Sequence, residues 1–150
     1  MDNKAVDLDI ATGLEDRLAA SNTAGGIIMN SIDGNYANTV TGNFATATGY
    51  DTTASGLASF AAGSGTTANG AQTFAQGSET TSTGTSSHAE GSNSTSQGAY
   101  SHAEGDTTIS TGVSSHSEGQ GTRSTGDLSH AEGLGTTSVG KASHSEGLGT

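Results

Sequence analysis

The sequence predicts an all-β solenoid, a chain wound into coils of short parallel strands, and three observations lead to that fold class. Glycine occupies every seventh position from Gly42 to Gly147. Between the glycines, small residues alternate with other residues at the two-residue period of a strand. The motif Ser-His-(Ala/Ser)-Glu-Gly recurs every 14 residues between Ser87 and Gly147. Because so short a unit cannot bury a face alone, successive units must stack on one another.

The repeating unit is a heptad, whose positions we label a to g with glycine at g. Sixteen heptads fill residues 36–147. We expect the glycines at g to supply the positive φ angles that the corners of the solenoid require. These structural glycines are Gly42, Gly49, Gly56, Gly63, Gly70, Gly77, Gly84, Gly91, Gly98, Gly105, Gly112, Gly119, Gly126, Gly133, Gly140 and Gly147.

Positions c and e carry small residues, such as Ser59 and Ala61, whereas d and f carry larger ones, such as Phe60. Since c and e lie on one face of a strand and d and f on the other, we expect c and e to point inward. A core of Ala, Ser and Thr lets two strands lie close together. Two short strands in each 14-residue coil would therefore give a thin, flattened solenoid.

Composition and charge exclude several classes of function. The net charge is −11 with four basic residues, so neither nucleic acid nor an anionic membrane surface is an expected partner. No apolar run approaches the length that spans a bilayer. The chain has no cysteine, which excludes a disulfide framework and a thiolate metal site. We expect no cofactor.

Residues 1–35 lie outside the heptad pattern and form a separate N-terminal segment ahead of the repeat domain at 36–150. Thr12 and Glu15 have the spacing of a capping box, which predicts a short helix over residues 13–20. Ile27, Ile28 and Met29 predict a brief buried strand. The segment either caps the first open edge of the solenoid or attaches the chain to a larger assembly.

Alternate heptads differ at the outward positions d and f. One class has Phe or His at d, with Glu at f in its last five members, and the other class is rich in Thr. We interpret the first class as a side covered by another copy of the chain and the second as a side facing water. The predicted interface comprises Phe60, Phe74, His88, Glu90, His102, Glu104, His116, Glu118, His130, Glu132, His144 and Glu146.

The repeated His/Glu pairs allow three interpretations. Acid–base catalysis is disfavoured, because five equivalent pairs without a distinct nucleophile or pocket do not make an active site. We therefore expect no catalytic residue and no enzyme activity. A metal site is the second interpretation, because imidazole and carboxylate are ligands for zinc or nickel. We favour the third, a structural ladder in which the imidazole of one chain donates to the carboxylate of a neighbouring chain. The metal-ligand candidates are His88, His102, His116, His130 and His144.

A ladder of this kind also predicts a response to pH. A carboxylate beside each imidazole would raise the pKa of the histidines, so the assembly would be most stable in mildly acidic solution. Burial in a dry interface would reverse the direction of that pKa shift.

Five-residue motifs begin at Ser59, Thr73 and Ser87 and alternate with Thr-rich segments such as that from Thr52 to Gly56. This pattern resembles the head repeats of trimeric autotransporter adhesins. Similar repeats occur in tail and appendage fibres of bacteriophages and prophages. The resemblance covers residues 36–150 and implies a left-handed parallel β-roll, packed as a homotrimer through the d/f face. The chain differs from adhesin heads in carrying His and Glu where those usually have Val and Ile.

The resemblance implies a non-enzymatic fibre or spike segment of a phage or prophage particle that takes part in host attachment. The N-terminus has no secretory signal, which favours the virion over the alternative, the head of an adhesin on the bacterial cell surface. The implied partners are two further copies, other virion or fibre proteins through 1–35, and a host-surface receptor. Because the sequence stops within a heptad, we expect a longer parent protein. An ice-binding solenoid is a third hypothesis, since the Thr-rich heptads form a ladder interrupted by Asn69, Gln97, Ile109 and Arg123.

Overall fold

A computed structural model describes residues 27–30 and 38–149, and the helix predicted over 13–20 lies outside these residues. The described residues contain strands and turns but no helix. They form a parallel β-solenoid of about eight coils with about 14 residues in each, which confirms the predicted fold class at this level. Each coil contributes one strand to each of two sheets.

The two sheets differ in strand length. Sheet A has nine strands, of which the regular members are five residues long, and sheet B has eight strands of two residues. Sheet A contains β1 (Ile27–Asn30), β3 (Thr46–Tyr50), β5 (Phe60–Ser64), β7 (Phe74–Ser78), β9 (His88–Ser92), β11 (His102–Asp106), β13 (His116–Gln120), β15 (His130–Leu134) and β17 (His144–Leu148). Sheet B contains β2 (Thr39–Val40), β4 (Thr53–Ala54), β6 (Thr67–Ala68), β8 (Thr81–Ser82), β10 (Thr95–Ser96), β12 (Ile109–Ser110), β14 (Arg123–Ser124) and β16 (Thr137–Ser138).

The register places equivalent positions of successive coils directly over one another. His102 pairs with His88 on one side and with His116 on the other, and the same 14-residue step relates every pair of neighbouring repeat strands. Residues Ile27–Asn30 form β1, which pairs with β3 and lies at the first edge of sheet A. That this strand is buried stays a prediction. Every outward residue in the repeat therefore belongs to a column that runs along the solenoid.

The core lies between the two sheets and consists of positions c and e. From residue 38 to 138 every c and e side chain is buried, whereas no d or f side chain between 39 and 146 is. The inward orientation predicted from the alternation is thus confirmed. Apart from Val40, the buried hydrophobic residues are alanines, and the buried polar residues are mainly serine and threonine.

Serine at position c has a structural role beyond its small size. The Ser101 hydroxyl lies 2.6 Å from the carbonyl oxygen of Gly98, to which it donates, and 2.6 Å from the Ser96 hydroxyl across the core. Ser115 makes the same pair of contacts with Gly112 and Ser110. These bonds satisfy hydroxyl groups that would otherwise be buried without a partner, so a serine core becomes tolerable.

The corners differ from the prediction. Glycines at g have a positive φ only where they lie within a sheet A strand, as Gly63 and Gly105 do, and the glycines that follow sheet B strands, such as Gly98, do not. Glycine is needed at Gly98 for another reason, since a Cβ there would lie 2.0 Å from the carbonyl oxygen of Gly112 in the next coil. The tight left-handed turn falls instead at position b, where Tyr100 has a φ of 60°.

Candidate functional site: the histidine ladder

The five histidines form one column on the outward face of sheet A, which we call the histidine ladder (His88, His102, His116, His130 and His144). Each histidine begins a strand and is followed two residues later by a glutamate on the same face. The parallel register sets each histidine over the next and each glutamate over the next. The sequence prediction that these residues share one face is therefore confirmed.

Consecutive imidazole rings of the ladder stack on each other. Their centroids are 4.6–4.8 Å apart, and the planes of His116 and His130 differ by 1°. Phe60 and Phe74 continue the column, with their own ring centroids 4.8 Å apart. The Phe74 ring meets His88 edge-on at 78°. The stack thus runs through seven coils, with its only change of ring orientation between Phe74 and His88 among the described rings.

Each histidine also faces the glutamate of its own strand. The Nε2 atom of His102 lies 3.5 Å from Oε2 of Glu104, and the corresponding distances in the other pairs are 3.5–3.8 Å. These separations exceed those of a good N–H···O hydrogen bond. The Glu104 side chain is 39% exposed, so its carboxylate retains access to solvent. A bond from this imidazole to a carboxylate of a neighbouring chain stays a prediction.

The Nε2 atoms are the least satisfied polar atoms of the ladder. Those of His88, His102, His116 and His130 are buried and have no hydrogen-bond partner among the described residues, although about a third of each side chain is exposed. A buried nitrogen with no hydrogen bond is costly, because it has lost its contact with water. The ladder therefore contains a row of nitrogen atoms with no hydrogen-bonding group at bonding distance in the described part of the chain.

The electrostatic environment corrects the predicted direction of the histidine shift. Burial lowers the pKa of His102 below its ordinary value of 6.5, and neighbouring His88 lowers it further. Burial likewise lowers the pKa of His116, together with His102 and His130. The nearby glutamates raise both pKa values but by less. The expectation that the carboxylates would dominate was wrong for these two residues, because stacking removes the rings from water and sets like charges together.

Three groups of side chains bring possible metal ligands together. In each group, one nitrogen from each of two consecutive histidines and one oxygen from the glutamate between them lie within 4.8 Å of one another. The groups are His102–Glu104–His116, His116–Glu118–His130 and His130–Glu132–His144.

The sequence did not reveal where the large exposed hydrophobic residues would lie. Of the nine such residues in the described part of the chain, Phe44, Leu57, Tyr100, Val113 and Leu128 occupy position a or b of the corner that leads from sheet B into sheet A and are 46–70% exposed. The other four are Tyr50, Leu134 and Leu148 at position a of the opposite corner, and Val139 at position f. Large apolar residues recur at positions a and b of alternate heptads, and this pattern could have predicted their location. The pattern is weak because Ala, Ser, Gln and Asn occupy the same positions in other coils.

Comparison of the sequence with protein-family models and with curated proteins finds no match. Within 27–30 and 38–149 there is no helix of the length and apolar character needed to cross a bilayer.

Proposed function

We propose that the chain is a non-enzymatic segment of a homotrimeric fibre or spike in a phage or prophage particle, where it takes part in host attachment. The observation that carries the proposal is the outward face of sheet A, a flat column of Phe and His rings that repeats at one spacing. A regular face of this kind is suited to a lengthwise interface with identical chains. In the proposed assembly, three left-handed rolls pack around one axis through this face.

The weakness of the core supports association. Alanine, serine and threonine bury little apolar area for each residue, and Val40 is the largest aliphatic side chain among the described core residues. Hydrophobic stabilisation is roughly 25 cal/mol for each Å² of apolar surface removed from water. A thin roll therefore gains less from its own core than an ordinary domain, and burying the Phe60 and Phe74 rings between copies would add to its stability.

Residues 1–35 would join the roll to neighbouring virion or fibre proteins. The described part of this segment, β1, extends sheet A along the solenoid, so an attachment through it would continue the line of the fibre. The same position is compatible with a cap that shields the edge of β3 from strand pairing. The distal end would then present the roll to a host-surface receptor.

The alternative is the head of a trimeric adhesin on a bacterial surface, which would use the same repeats and the same interface. The two assemblies differ in location. Gold-labelled antibodies against the repeat would mark appendages of purified phage particles under the first proposal and the intact cell surface under the second. Labelling of cells that release no particles would overturn the phage assignment and leave the trimer untouched.

The trimer itself is tested by light scattering on the purified chain. We expect the mass of three chains, and dissociation when Phe60→Ser and Phe74→Ser are combined, because serine removes most of the apolar surface of the proposed interface. Ile109→Ser is the matched control, since Ile109 is an outward apolar residue on sheet B. A wild-type chain that is folded and monomeric would refute the proposed assembly.

A further inference from the structure

We propose that the histidine ladder binds divalent transition metal ions such as Zn²⁺, two for each chain, through two groups of ligands that share no residue. The groups are His102–Glu104–His116 and His130–Glu132–His144. All ligands of each site come from one chain, so the sites do not depend on the proposed trimer.

The chemistry of the ligands selects the class of metal. Two imidazole nitrogens and one carboxylate oxygen suit Zn²⁺, Ni²⁺ or Cu²⁺, whereas Mg²⁺ and Ca²⁺ prefer oxygen ligands alone. Three protein ligands leave a further coordination position for water or for a group from another chain. The chain's net charge of −11 also favours the approach of cations in general.

The unsatisfied nitrogen atoms point to a ligand at this position. The Nε2 atoms of His102, His116 and His130 are buried without a hydrogen-bond partner among the described residues, and a glutamate oxygen lies 3.5–3.7 Å from each. In the neutral tautomer whose Nε2 carries a lone pair, that lone pair and the carboxylate face each other with no proton between them. A metal ion between the two atoms would accept electron pairs from both and remove this mismatch.

Binding requires the two stacked rings of each group to tilt out of parallel, because an imidazole binds a metal ion in the plane of its ring. Zn–N and Zn–O bonds are about 2.0–2.2 Å, so tetrahedral ligand atoms lie roughly 3.4 Å apart. The ligand atoms of each group lie within 4.8 Å of one another in the metal-free arrangement. The histidine side chains point outward and are about a third to a half exposed, so this tilt takes place outside the core.

The stoichiometry follows from the geometry of the column. The middle group, His116–Glu118–His130, shares a histidine with each of the other two. One Nε2 atom binds one metal ion, so occupation of the two outer groups excludes the middle one. Filling every second gap also keeps the bound cations apart. His88 belongs to none of the three groups.

The test is calorimetric titration of the full chain with Zn²⁺ near pH 7, beside metal analysis of the dialysed protein. We expect saturation at two ions for each wild-type chain and for His88→Gln, and at one ion for His116→Gln, which leaves only the group that contains His144. The double variant His116→Gln/His130→Gln should bind Zn²⁺ at least tenfold more weakly. Co²⁺ should give visible absorption bands typical of a four-coordinate site in the wild type and not in the double variant.

Folding is monitored by circular dichroism of every variant in EDTA. If a histidine variant does not fold, Glu104→Gln/Glu118→Gln/Glu132→Gln removes the carboxylate ligand from all three groups with almost no change in side-chain shape, and it should bind Zn²⁺ as weakly as the double histidine variant. The proposal fails if wild-type binding does not saturate below about 1 mM, or if the double variant binds like the wild type, which would indicate scattered surface carboxylates. Light scattering on the same samples distinguishes failure of the metal proposal from failure of the trimer proposal. A monomer that binds two ions would refute the trimer and leave the metal sites supported.

Discussion

Position b of every heptad between residues 43 and 149 has a left-handed backbone, and the corner holds it there by hydrogen bonding. The N–H of Tyr100 donates to the carbonyl oxygen of Thr85 at 2.9 Å, and that of Leu128 donates to Val113 at 2.8 Å. The same bond from b to position a of the preceding coil recurs along both corners. Left-handed φ costs an ordinary residue about 1–2 kcal/mol, so these repeated bonds have to offset a substantial strain.

The left-handed corners predict an unusual tolerance for glycine at Leu128, which has a φ of 58° and is 57% exposed. Leu128→Gly should change the free energy of unfolding by less than about 1 kcal/mol, because relief of strain offsets the greater freedom of the unfolded chain. Leu128→Val should be the more destabilising by roughly 1–2 kcal/mol, because a β-branched residue resists this conformation. Thermal melting of both variants would contradict the assignment if valine were the milder change.

The glycines that follow sheet B strands predict a steric effect. Gly98→Ala should lower stability by about 3 kcal/mol, since the new Cβ would lie 2.0 Å from a backbone oxygen of the next coil. Gly140→Ala is the matched control, because Gly140 belongs to the same series and its Cβ would meet its nearest atom at 3.5 Å. Equal melting temperatures for the two variants would show that the coils do not approach as closely as described.

At the residue scale, the sequence predicted which positions face the core but not the backbone conformation of the corners. The alternation of Ser59, Phe60 and Ala61 was enough to assign inward and outward positions correctly. The left-handed backbone at position b could not be predicted from residue type, because Asp51, Gln72 and ten other non-glycine residues of many types adopt it there. The conformation is imposed by closure of the coil and not by local preference.

At the scale of elements, the two strands of a coil are unequal although the heptads look alike. The sheet A strand continues through its glycine for five residues, as in His102–Asp106, whereas the sheet B strand stops after two, as in Ile109–Ser110. The sequence predicted two strands in each coil but not their lengths. The strand lengths differ because the glycine at position g of each sheet A strand has a φ above 100°. This conformation keeps the chain paired with the neighbouring strands of sheet A beyond the glycine.

The histidine ladder of sheet A predicts a loss of stability in acid for the metal-free protein. Burial lowers the folded pKa of His102 and His116 below the unfolded value of 6.5, so the folded state binds fewer protons than the unfolded state. Their contribution to stability is complete above pH 6.5 and is lost as pH falls through the lower folded pKa. The groups that face them are His88, His130, Glu90, Glu104 and Glu118.

Melting temperatures measured in EDTA between pH 7.5 and 5 test this direction. The wild type should lose stability over that range, and a His102→Gln/His116→Gln variant should lose less, because it lacks the two rings whose pKa burial lowers. A wild-type melting temperature that rises as the solution becomes mildly acidic would show that the glutamates, and not burial, control the charge of the ladder.

For the whole molecule, the structural unit is the 14-residue coil and not the seven-residue heptad seen in the glycine pattern. Every strand from β2 to β17 pairs with a strand 14 residues away, and columns of like residues result: histidine on histidine in sheet A and mostly threonine on threonine in sheet B. Glycine spacing alone could not distinguish the two units. The distinction required the alternation at d and f, where Phe and His belong to one sheet and Thr to the other.

The coil as the structural unit predicts opposite outcomes for two deletions that begin at the same residue. Removing 99–112 joins Gly98 to Val113, which deletes one coil, keeps both sheets in phase and brings His116 over His88. Removing 99–105 joins Gly98 to Asp106, so Ile109 would arrive in sheet A beneath His88 and the later histidines would fall in sheet B. We expect the variant that lacks 99–112 to fold with a slightly lower melting temperature, since a solenoid loses about one coil's share of stability.

The variant that lacks 99–105 should melt at a distinctly lower temperature, because this deletion breaks the ring stack and the serine contacts across the core. Two variants that melt alike would mean that the heptads are interchangeable and that the identity of each sheet contributes little to the stability of the solenoid.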